Sequence, residues 1–457
     1  MPRYEFKEGS SSKFWQITLS DNTFTTRWGR IGTDGQEKTQ TFDSAAAAQK
    51  EYDKLVREKE KKGYELVGEG DDGEGGGDDD EGGESASNPE LEAAIIANPD
   101  NADAYLVYGD WLQRQGDPRG ELIALQHAAM QASGEEATKL KKQVSALLKK
   151  RKGALLGDLA DATAEEELKV EWHLGFIRTA RVGQKDYDSD RDIGELVKEL
   201  LAHPSAKFLQ GLTIGMAHFD DENDYEGTIT SLTEALTEMG GSKTLQSLFI
   251  GDFEFPDDTE ISWSHLHDVS ALYKLLPNLR SLHLRGHSLE LGTVDLPELR
   301  EFTIETGGLP LSAVKSIAAA KWPKLEKLEV WFGADNYGAE GGVEDIQPIL
   351  DAKGLPKLKS LGLCNSEFTD ELCKVLPQSK VLPQLERLDL SKGTMSDASA
   401  RIFSENAAAF AHLKHLDLTE NTLTDEGEKL VAKLCPSVAA GNQREYDEEY
   451  RYAAVGE

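Results

Sequence analysis

The chain has 457 residues, of which 39% are hydrophobic, and it carries a formal net charge of −33. This length is typical of two to four domains with hydrophobic cores of their own. The negative charge excludes a general attraction to the phosphates of nucleic acids, and three scattered cysteines without a Cys-x-x-Cys pair exclude a disulfide scaffold and the usual zinc sites.

The first residues, Met1 to Lys7, lack the apolar stretch of a signal peptide, and no apolar run in the chain is long enough to span a membrane. We therefore expect a soluble cytoplasmic protein without a membrane partner. Its acidity is typical of a protein that charge keeps soluble, and a basic protein partner is the alternative explanation.

Residues 1–67 form the first predicted module. Two apolar segments, Phe14 to Leu19 and Phe24 to Arg30, flank a polar turn, and an alanine-rich stretch at 45–48 follows. The segment that contains Trp28, Gly29 and Arg30 resembles the WGR domain. The resemblance implies a small, mainly β domain with one helix. Such domains contact DNA ends beside poly(ADP-ribose) polymerase catalytic domains, and they also occur in bacterial proteins that lack a catalytic domain.

Trp28, Gly29 and Arg30 are the candidate nucleic-acid contacts of this module. A tryptophan ring can stack on a base or sugar, and an arginine can bind phosphate. The alternative is structural, with Trp28 in the core of a small sheet and Arg30 paired with an acid. The module carries 12 basic and 11 acidic residues, which favours the structural alternative.

Residues 68–87 contain eight glycines, nine acidic residues and no basic residue. Such a segment cannot bury apolar surface and repels itself, so we expect a disordered linker. A flexible chain of this length spans roughly 25 Å, which predicts that the first module is tethered rather than docked.

Residues 88–165 are predicted to be helical, with stops and caps at Asn98 to Asn101 and at Gly116 to Pro118. The stretch from Tyr108 to Leu112, with Gly116 to Glu121, resembles a small bacterial repeat-companion domain that usually precedes leucine-rich repeats. The resemblance implies a helical cap for a following solenoid and no known chemistry.

Residues 166–440 repeat the frame L-x-x-L-x-L. The eight copies begin at Leu209, Leu245, Leu279, Leu299, Leu325, Leu358, Leu385 and Leu413, and a degenerate copy begins at Ile177. The last two copies resemble leucine-rich repeats of the ribonuclease-inhibitor type. This predicts an α/β solenoid with parallel strands on the concave face and helices on the convex face. The spacing of 20 residues after Leu279 is too short for a helix. Residues 441–457 are predicted to be a polar C-terminal tail.

The residues between the leucines should point outward from the concave sheet, because side chains alternate along a strand. An exposed aromatic and charged set is typical of a protein-binding surface. The alternative is a solvated face with Phe249 or Trp331 under a neighbouring loop. The ten candidates for protein binding are Phe249, His283, Arg285, Lys327, Glu329, Trp331, Arg387, Asp389, His415 and Asp417.

No catalytic motif is apparent: the chain has no Walker loop, no Gly-x-Ser-x-Gly and no His-Glu-x-x-His. Asp188, Asp190, Asp192 and Glu199 partly match a calcium loop, but Ile193 stands where such a loop needs glycine. We therefore expect no enzyme activity, no cofactor and no metal site.

The sequence thus predicts a multi-domain, non-catalytic binding protein that acts as a protein–protein adaptor or scaffold through its repeats. The first alternative is binding of DNA ends or nicks by residues 1–67, with recruitment of a repeat-bound partner. A third is a regulatory partner of a separate ADP-ribosyltransferase, which rests on family analogy alone. The partner's identity and the oligomeric state stay open.

Overall fold

The computed structural model describes residues 2–8, 11–20, 23–30, 36–42, 50, 52, 54, 55, 59, 65–69, 86–219, 222–445 and 451–457. The chain divides into two compact units, residues 1–81 and residues 82–457. In the described part of the chain, no helix is both long enough and apolar enough to cross a membrane. Residues 70–85, most of the predicted linker, lie outside the described residues.

The first unit contains a five-stranded antiparallel sheet with the order β4-β3-β2-β1-β5. Its strands are β1 (Pro2–Glu8), β2 (Ser11–Ser20), β3 (Thr23–Arg30), β4 (Gln36–Thr41) and β5 (Glu65–Glu69). Strand β5 pairs with β1, so residues 68 and 69 belong to the sheet. The predicted boundary after residue 67 was wrong there, because linker-like composition begins before the last strand ends.

The second unit opens with six helices, in the segment that was predicted to be helical. They are α1 (Pro89–Ala97), α2 (Ala102–Arg114), α3 (Pro118–Gln131), α4 (Gly134–Lys150), α5 (Lys152–Leu156) and α6 (Leu159–Ala164). The side chains of Asn88, Asn101 and Asp117 accept backbone hydrogen bonds at the starts of α1, α2 and α3. These caps satisfy amides that have no partner inside the helix, which explains where each helix begins.

An eleven-stranded sheet follows, with the order β19-β18-β17-β16-β15-β14-β12-β10-β8-β7-β6. All neighbours are parallel except the β6–β7 pair, which is antiparallel. Its strands are β6 (Leu168–His173), β7 (Phe176–Val182), β8 (Gly211–Ile214), β10 (Ser247–Ile250), β12 (Ser281–Arg285), β14 (Glu301–Glu305), β15 (Lys327–Gly333), β16 (Ser360–Ser366), β17 (Arg387–Asp389), β18 (His415–Asp417) and β19 (Val438–Ala439). A strand is present at each of the nine predicted frames.

The leucines of each frame point into one continuous core between the sheet and the connections. Leu388 and Leu416 lie side by side on β17 and β18 and are fully buried. Beneath them, the Asn421 side chain donates to the carbonyl oxygens of Leu390 and Leu418 and accepts from the Met395 amide. The apolar ladder and this buried amide bridge join the last two repeats to each other.

The opposite side of this core is formed mainly by helices α7 (Ile193–Ala202), α8 (Glu226–Glu238), α9 (Leu311–Ala319), α10 (Gln347–Leu350), α11 (Thr369–Val375), α12 (Asp397–Glu405), α13 (Ala407–Phe410) and α14 (Asp425–Val431). The connection between β10 and β12 contains a 3₁₀ helix, Ser270–Leu275, in place of an α-helix. The short spacing after Leu279 has no helix, as predicted. Strand β13 (His287–Glu290), which lies in this short connection, joins β11 (Ser264–Asp268) and β9 (Asn223–Asp224) in a small parallel sheet.

Residues 451–457, the last part of the predicted polar C-terminal tail, pack against the repeats. Ala453 is 1% exposed, and the amide of Ala454 donates to the carbonyl oxygen of Lys392. We call residues 451–457 the return segment, because the chain comes back here over repeats that precede it. Composition could not predict this packing, because most of the contacts use backbone atoms.

Candidate functional site

Strand register places the predicted binding residues in rows across the outward face of the large sheet. One row runs through the positions of Phe249, His283, Glu329, Asp389 and Asp417, with Thr303 and Gly362 between them. A second row contains Lys327, Arg387 and His415. Parallel strands in register bring together residues that lie tens of positions apart in sequence. The predicted face therefore exists as one surface.

Phe249 and His283 stack on each other in the middle of this face. Their ring centres are 3.8 Å apart and their planes differ by 1°. The Arg285 guanidinium lies 5.6 Å from the centre of the Phe249 ring. Both rings are half-buried, so each keeps part of its surface open to solvent. An aromatic pair with an adjacent arginine is the composition that interface anchors favour.

Glu305, on the neighbouring strand β14, holds this group in place. His283 Nε2 lies 3.2 Å from Glu305 Oε1, and Arg285 Nε donates to Glu305 Oε2 at 2.5 Å. Burial raises the pKa of Glu305, but His283 and the positive charge of Arg285 outweigh it and hold the pKa below its ordinary value. Glu305 was not among the ten predicted residues, although the alternation that selects Arg285 also selects this position.

A loop of residues 251–263, which we call the covering loop, lies over one edge of the face. Arg285 Nη1 donates to the Phe253 carbonyl oxygen at 2.5 Å, and Arg181 Nε donates to Asp252 Oδ2 at 2.5 Å. The Arg285 guanidinium also lies 5.6 Å from the ring centre of Phe253 and 6.0 Å from that of Phe255. The loop is thus anchored to the sheet by two arginines.

Trp331 lies on the predicted face but is not open to solvent. Only 7% of it is exposed, and its Nε1 donates to Glu329 Oε1 at 3.3 Å. The covering loop and the return segment shield it, as the alternative of a covering loop anticipated. It belongs to a small second core, which we call the Trp331 cluster: Met216, Phe253, Ile261, Trp331 and Cys364, with Phe219, Phe255 and Val455 packed against them.

The charged residues at the far end of the face neutralise one another. Arg387 Nη2 lies 3.3 Å from Asp389 Oδ2 and 3.4 Å from Asp417 Oδ2, and its side chain is 43% exposed. The other oxygens of these carboxylates accept the amides of Ser391 and Thr419 in the turns that follow the strands. The two aspartates therefore support the turns, while Arg387 is the exposed member. His415, in the same row as Arg387, bonds Ser437 through Nδ1 at 2.8 Å.

Lys327 lies between these groups and the aromatic stack. Its Nζ is 2.9 Å from Glu329 Oε2, and 41% of its side chain is exposed. Of the ten predicted residues, Lys327 and Arg387 therefore reach furthest into solvent among the charged members, and Phe249 with His283 provides the aromatic surface.

In the first unit, Trp28 lies on β3 directly opposite Trp15 of β2. It is half-buried and packs against a core of Tyr4, Trp15 and Ile17. Part of its surface is thus structural and part is accessible. Gly29 and Arg30 are the last residues of β3, with Gly29 opposite Phe14, and their side chains lie outside the described part of the structure.

The partial calcium motif does not come together as a loop. Asp192 caps α7, where its Oδ1 accepts the Glu195 amide at 3.0 Å, and Glu199 lies inside that helix on its exposed side. Over the described residues, no group of three or more His, Cys, Asp or Glu side chains is arranged to hold a metal ion.

Comparison with known proteins identifies the two kinds of module. The family model of the WGR domain matches residues 3–71, and a leucine-rich repeat model matches residues 411–432. Protein YehF of Escherichia coli strain K12 is 39% identical over 64 residues, which are 14% of this chain and 23% of YehF. YfeS of the same strain, described as uncharacterized, is 33% identical over 63 residues, 14% of this chain and 26% of YfeS. The chain thus spans about a quarter of the length of each of these curated relatives.

A crystal structure of a protein from Bacteroides fragilis is similar over 99% of both chains, with 24% identity and a TM-score of 0.52, which is a likeness of fold. An internalin from Listeria monocytogenes matches 61% of this chain and 87% of its own, with 16% identity and a TM-score of 0.27, too low to support a fold inference. The resemblance of residues 88–130 to the repeat-companion domain stays a prediction. The chain therefore carries an N-terminal WGR domain and a leucine-rich repeat at residues 411–432, in a multi-domain architecture with a large parallel sheet.

Proposed function

We propose that this protein is a non-catalytic binding protein whose repeat unit binds a protein partner through the outward face of the large sheet. WGR domains and leucine-rich repeats are typically binding modules rather than catalytic ones, which supports a role as adaptor or scaffold. The face would contact the partner through the Phe249–His283 stack and through the exposed side chains of Lys327 and Arg387.

The main support for this proposal is the in-register row from Phe249 to Asp417, which extends from the aromatic stack to the paired charges across the sheet. Phe249 and His283 are held by Arg285 and Glu305, so their positions are set before a partner arrives. A preorganised aromatic centre surrounded by polar groups is the usual anatomy of a protein interface. The charges on the face are largely paired, so a basic partner is suggested only by the overall charge of −33.

The test compares two double variants of the full chain in affinity capture from the native cell lysate. Lys327→Ala with Arg387→Ala removes two exposed cations from the face, and Lys315→Ala with Arg401→Ala removes two exposed cations from helices α9 and α12. Both change the net charge equally. We expect the face variant to lose specific proteins that the helix variant retains. Equal capture by both variants would contradict the proposal.

We propose nucleic-acid binding by the WGR domain as a second function. Two observations favour it: residues 3–71 match the WGR domain, which contacts DNA ends beside poly(ADP-ribose) polymerase catalytic domains, and Trp28 keeps accessible surface beside the core. The partly exposed ring could stack on a base at a strand end. In this proposal, the domain brings the partner of the repeat unit to a DNA end or nick.

Fluorescence anisotropy of labelled DNA at low salt tests this second function. The full chain is titrated into duplexes with a blunt end, with a nick, or closed by hairpins at both ends. Arg30→Ala should weaken binding to ends or nicks, whereas the matched variant Arg401→Ala in the repeat unit should not. Absence of binding by the unmodified chain at low salt, where phosphate contacts are strongest, would reject the function.

A further inference from the structure

The return segment crosses the large sheet at the carboxyl ends of its strands. Starting from Arg451 near Asp370 and Thr394, it passes Lys392 after β17 and Asn365 in β16, and then reaches Gly307 after β14. It therefore runs back across successive repeats, roughly at right angles to the strands. We call the surface beneath it the carboxyl-edge groove.

Asn365 holds the backbone of the return segment at two points. Its Oδ1 accepts the Val455 amide at 2.8 Å, and its Nδ2 donates to the Val455 carbonyl oxygen at 2.6 Å. Asn365 is fully buried and has a φ of 51°, a left-handed conformation that is uncommon outside glycine. Both amide atoms of one buried side chain thus bind the donor and acceptor of one residue. This arrangement recognises an extended backbone rather than a particular side chain.

The two ends of the return segment carry side chains of opposite charge, and each has a partner in the groove. Arg451 Nη1 lies 3.0 Å from Asp370 Oδ2 and also donates to the Thr394 carbonyl oxygen. At the other end, the Tyr337 hydroxyl donates to Glu457 Oε1 at 2.7 Å. A basic residue thus lies beside a carboxylate at one end, and six positions later an acidic residue accepts a hydrogen bond from a hydroxyl.

Between these ends, the groove requires small residues and one apolar side chain. Ala453 is 1% exposed, and a Cβ on Gly456 would lie 2.6 Å from ring carbons of Tyr337. Val455 packs against the Trp331 cluster and completes its cover. Tyr452, by contrast, is 61% exposed and makes its hydrogen bond through its carbonyl oxygen, to Arg444 Nη2. The contacts of the return segment therefore restrict side-chain size at Ala453 and Gly456 and place an apolar side chain at position 455.

We propose that the carboxyl-edge groove is a binding site for an extended peptide and that the return segment is its resident occupant. The partner is a protein that presents an exposed extended segment of the same chemistry, with a basic residue four positions before a small apolar one. Such a partner binds by displacing residues 451–457. This inference goes beyond the proposed function, because it concerns the ends of the strands and not the rows of Phe249 and Lys327.

The experiment adds the sequence of the return segment as a separate peptide. The probe is a fluorescent, end-blocked peptide with the sequence Arg-Tyr-Ala-Ala-Val-Gly-Glu, titrated into the intact chain and into the chain lacking residues 451–457. We expect saturable binding to the truncated chain. The intact chain should bind at least about tenfold more weakly, because a tethered segment competes at an effective concentration of roughly 1 mM. The matched control is a peptide of the same composition in scrambled order, which should bind poorly to both.

Three results would overturn the proposal: no binding to a truncated chain that still melts cooperatively, equal binding of the scrambled peptide, or equal affinity of intact and truncated chains. If truncation unfolds the repeats, the intact chain gives the answer by hydrogen exchange. Excess peptide should then speed exchange at the amides of Ala454 and Val455, and unchanged protection there would reject displacement. Neither measurement involves Lys327 or Arg387. Failure of the peptide-binding proposal is therefore distinguishable from failure of the proposed partner binding by the outward face of the large sheet.

Discussion

Glu305 shows how a single buried carboxylate organises the centre of the sheet face. It is 9% exposed and pairs with both His283 and Arg285, which in turn position Phe249 and the covering loop. A buried acid without these partners would be costly, so the carboxylate and its two partners depend on one another. The lowered pKa of Glu305 expresses this dependence.

The variant Glu305→Gln should therefore lower stability in a manner that depends on pH. Because the folded-state pKa is depressed, the carboxylate contributes stability above its unfolded pKa of about 4.3, and this contribution is lost as pH falls through the folded value. The difference in denaturant midpoint of the repeat unit between variant and unmodified chain should be largest near neutral pH and shrink in acid. Glu301→Gln, at an exposed position of the same strand, is the control. A difference that stays constant with pH would contradict this role.

Trp331→Ala should act on stability rather than directly on binding. The side chain is 7% exposed in the Trp331 cluster, and truncation of a buried tryptophan costs about 3–5 kcal/mol. Trp263→Ala, which removes a tryptophan that is 56% exposed, should change stability by less than about 1 kcal/mol. Thermal melting of the repeat unit compares the two, and equal effects would show that the Trp331 cluster is not a core.

Trp331 also shows the limit of sequence patterns at this scale. Alternation along β15 places it on the outward face correctly, because side-chain direction depends on local geometry alone. Its exposure depends on Phe255 and Val455, which are far away in sequence and have no repeat signature. Trp28 is similar, since its motif identifies the domain while its burial depends on the facing strand.

At the scale of elements, the repeat frame predicted nine of the eleven strands of the large sheet, because buried leucines recur at fixed positions in each turn. The connections were less predictable: residues 270–275 form a 3₁₀ helix, whereas most of the other connections contain α-helices. The covering loop and strand β6 carry no repeat pattern at all. Two arginines from the sheet, Arg181 and Arg285, hold that loop.

Arg285→Ala should loosen the covering loop. The change removes the hydrogen bond to the Phe253 carbonyl oxygen and the contacts with the rings of Phe253 and Phe255. Amides of residues 251–263 should exchange with solvent at least about tenfold faster in hydrogen-exchange mass spectrometry, which corresponds to about 1.4 kcal/mol of local stability. Arg300→Ala, which removes an exposed arginine paired with Glu326, should leave the loop unchanged. Equal protection in both variants would mean that Arg285 does not anchor the loop.

At the scale of the whole molecule, the helices at the start of the repeat unit cap the first end of its large sheet. At the first end, β6 turns antiparallel to β7, and Tyr105 and Tyr108 of α2 form a shared core with Phe176 and Phe208. The helices and the first strands bury the same aromatic rings, so a shared core crosses the predicted boundary at residue 165. Capping of this kind is what solenoids need, since an open end exposes apolar surface and unpaired strand edges.

The central claim, that the outward face of the sheet binds a protein, is tested most directly by site-specific photo-crosslinking. A photoreactive amino acid is placed at Lys327, in the centre of the face, and in a separate chain at Lys315, on the exposed side of α9. The proposal predicts discrete crosslinked partners from position 327 that are absent from position 315. Equal crosslinking from both positions, or crosslinking from position 315 alone, would contradict it.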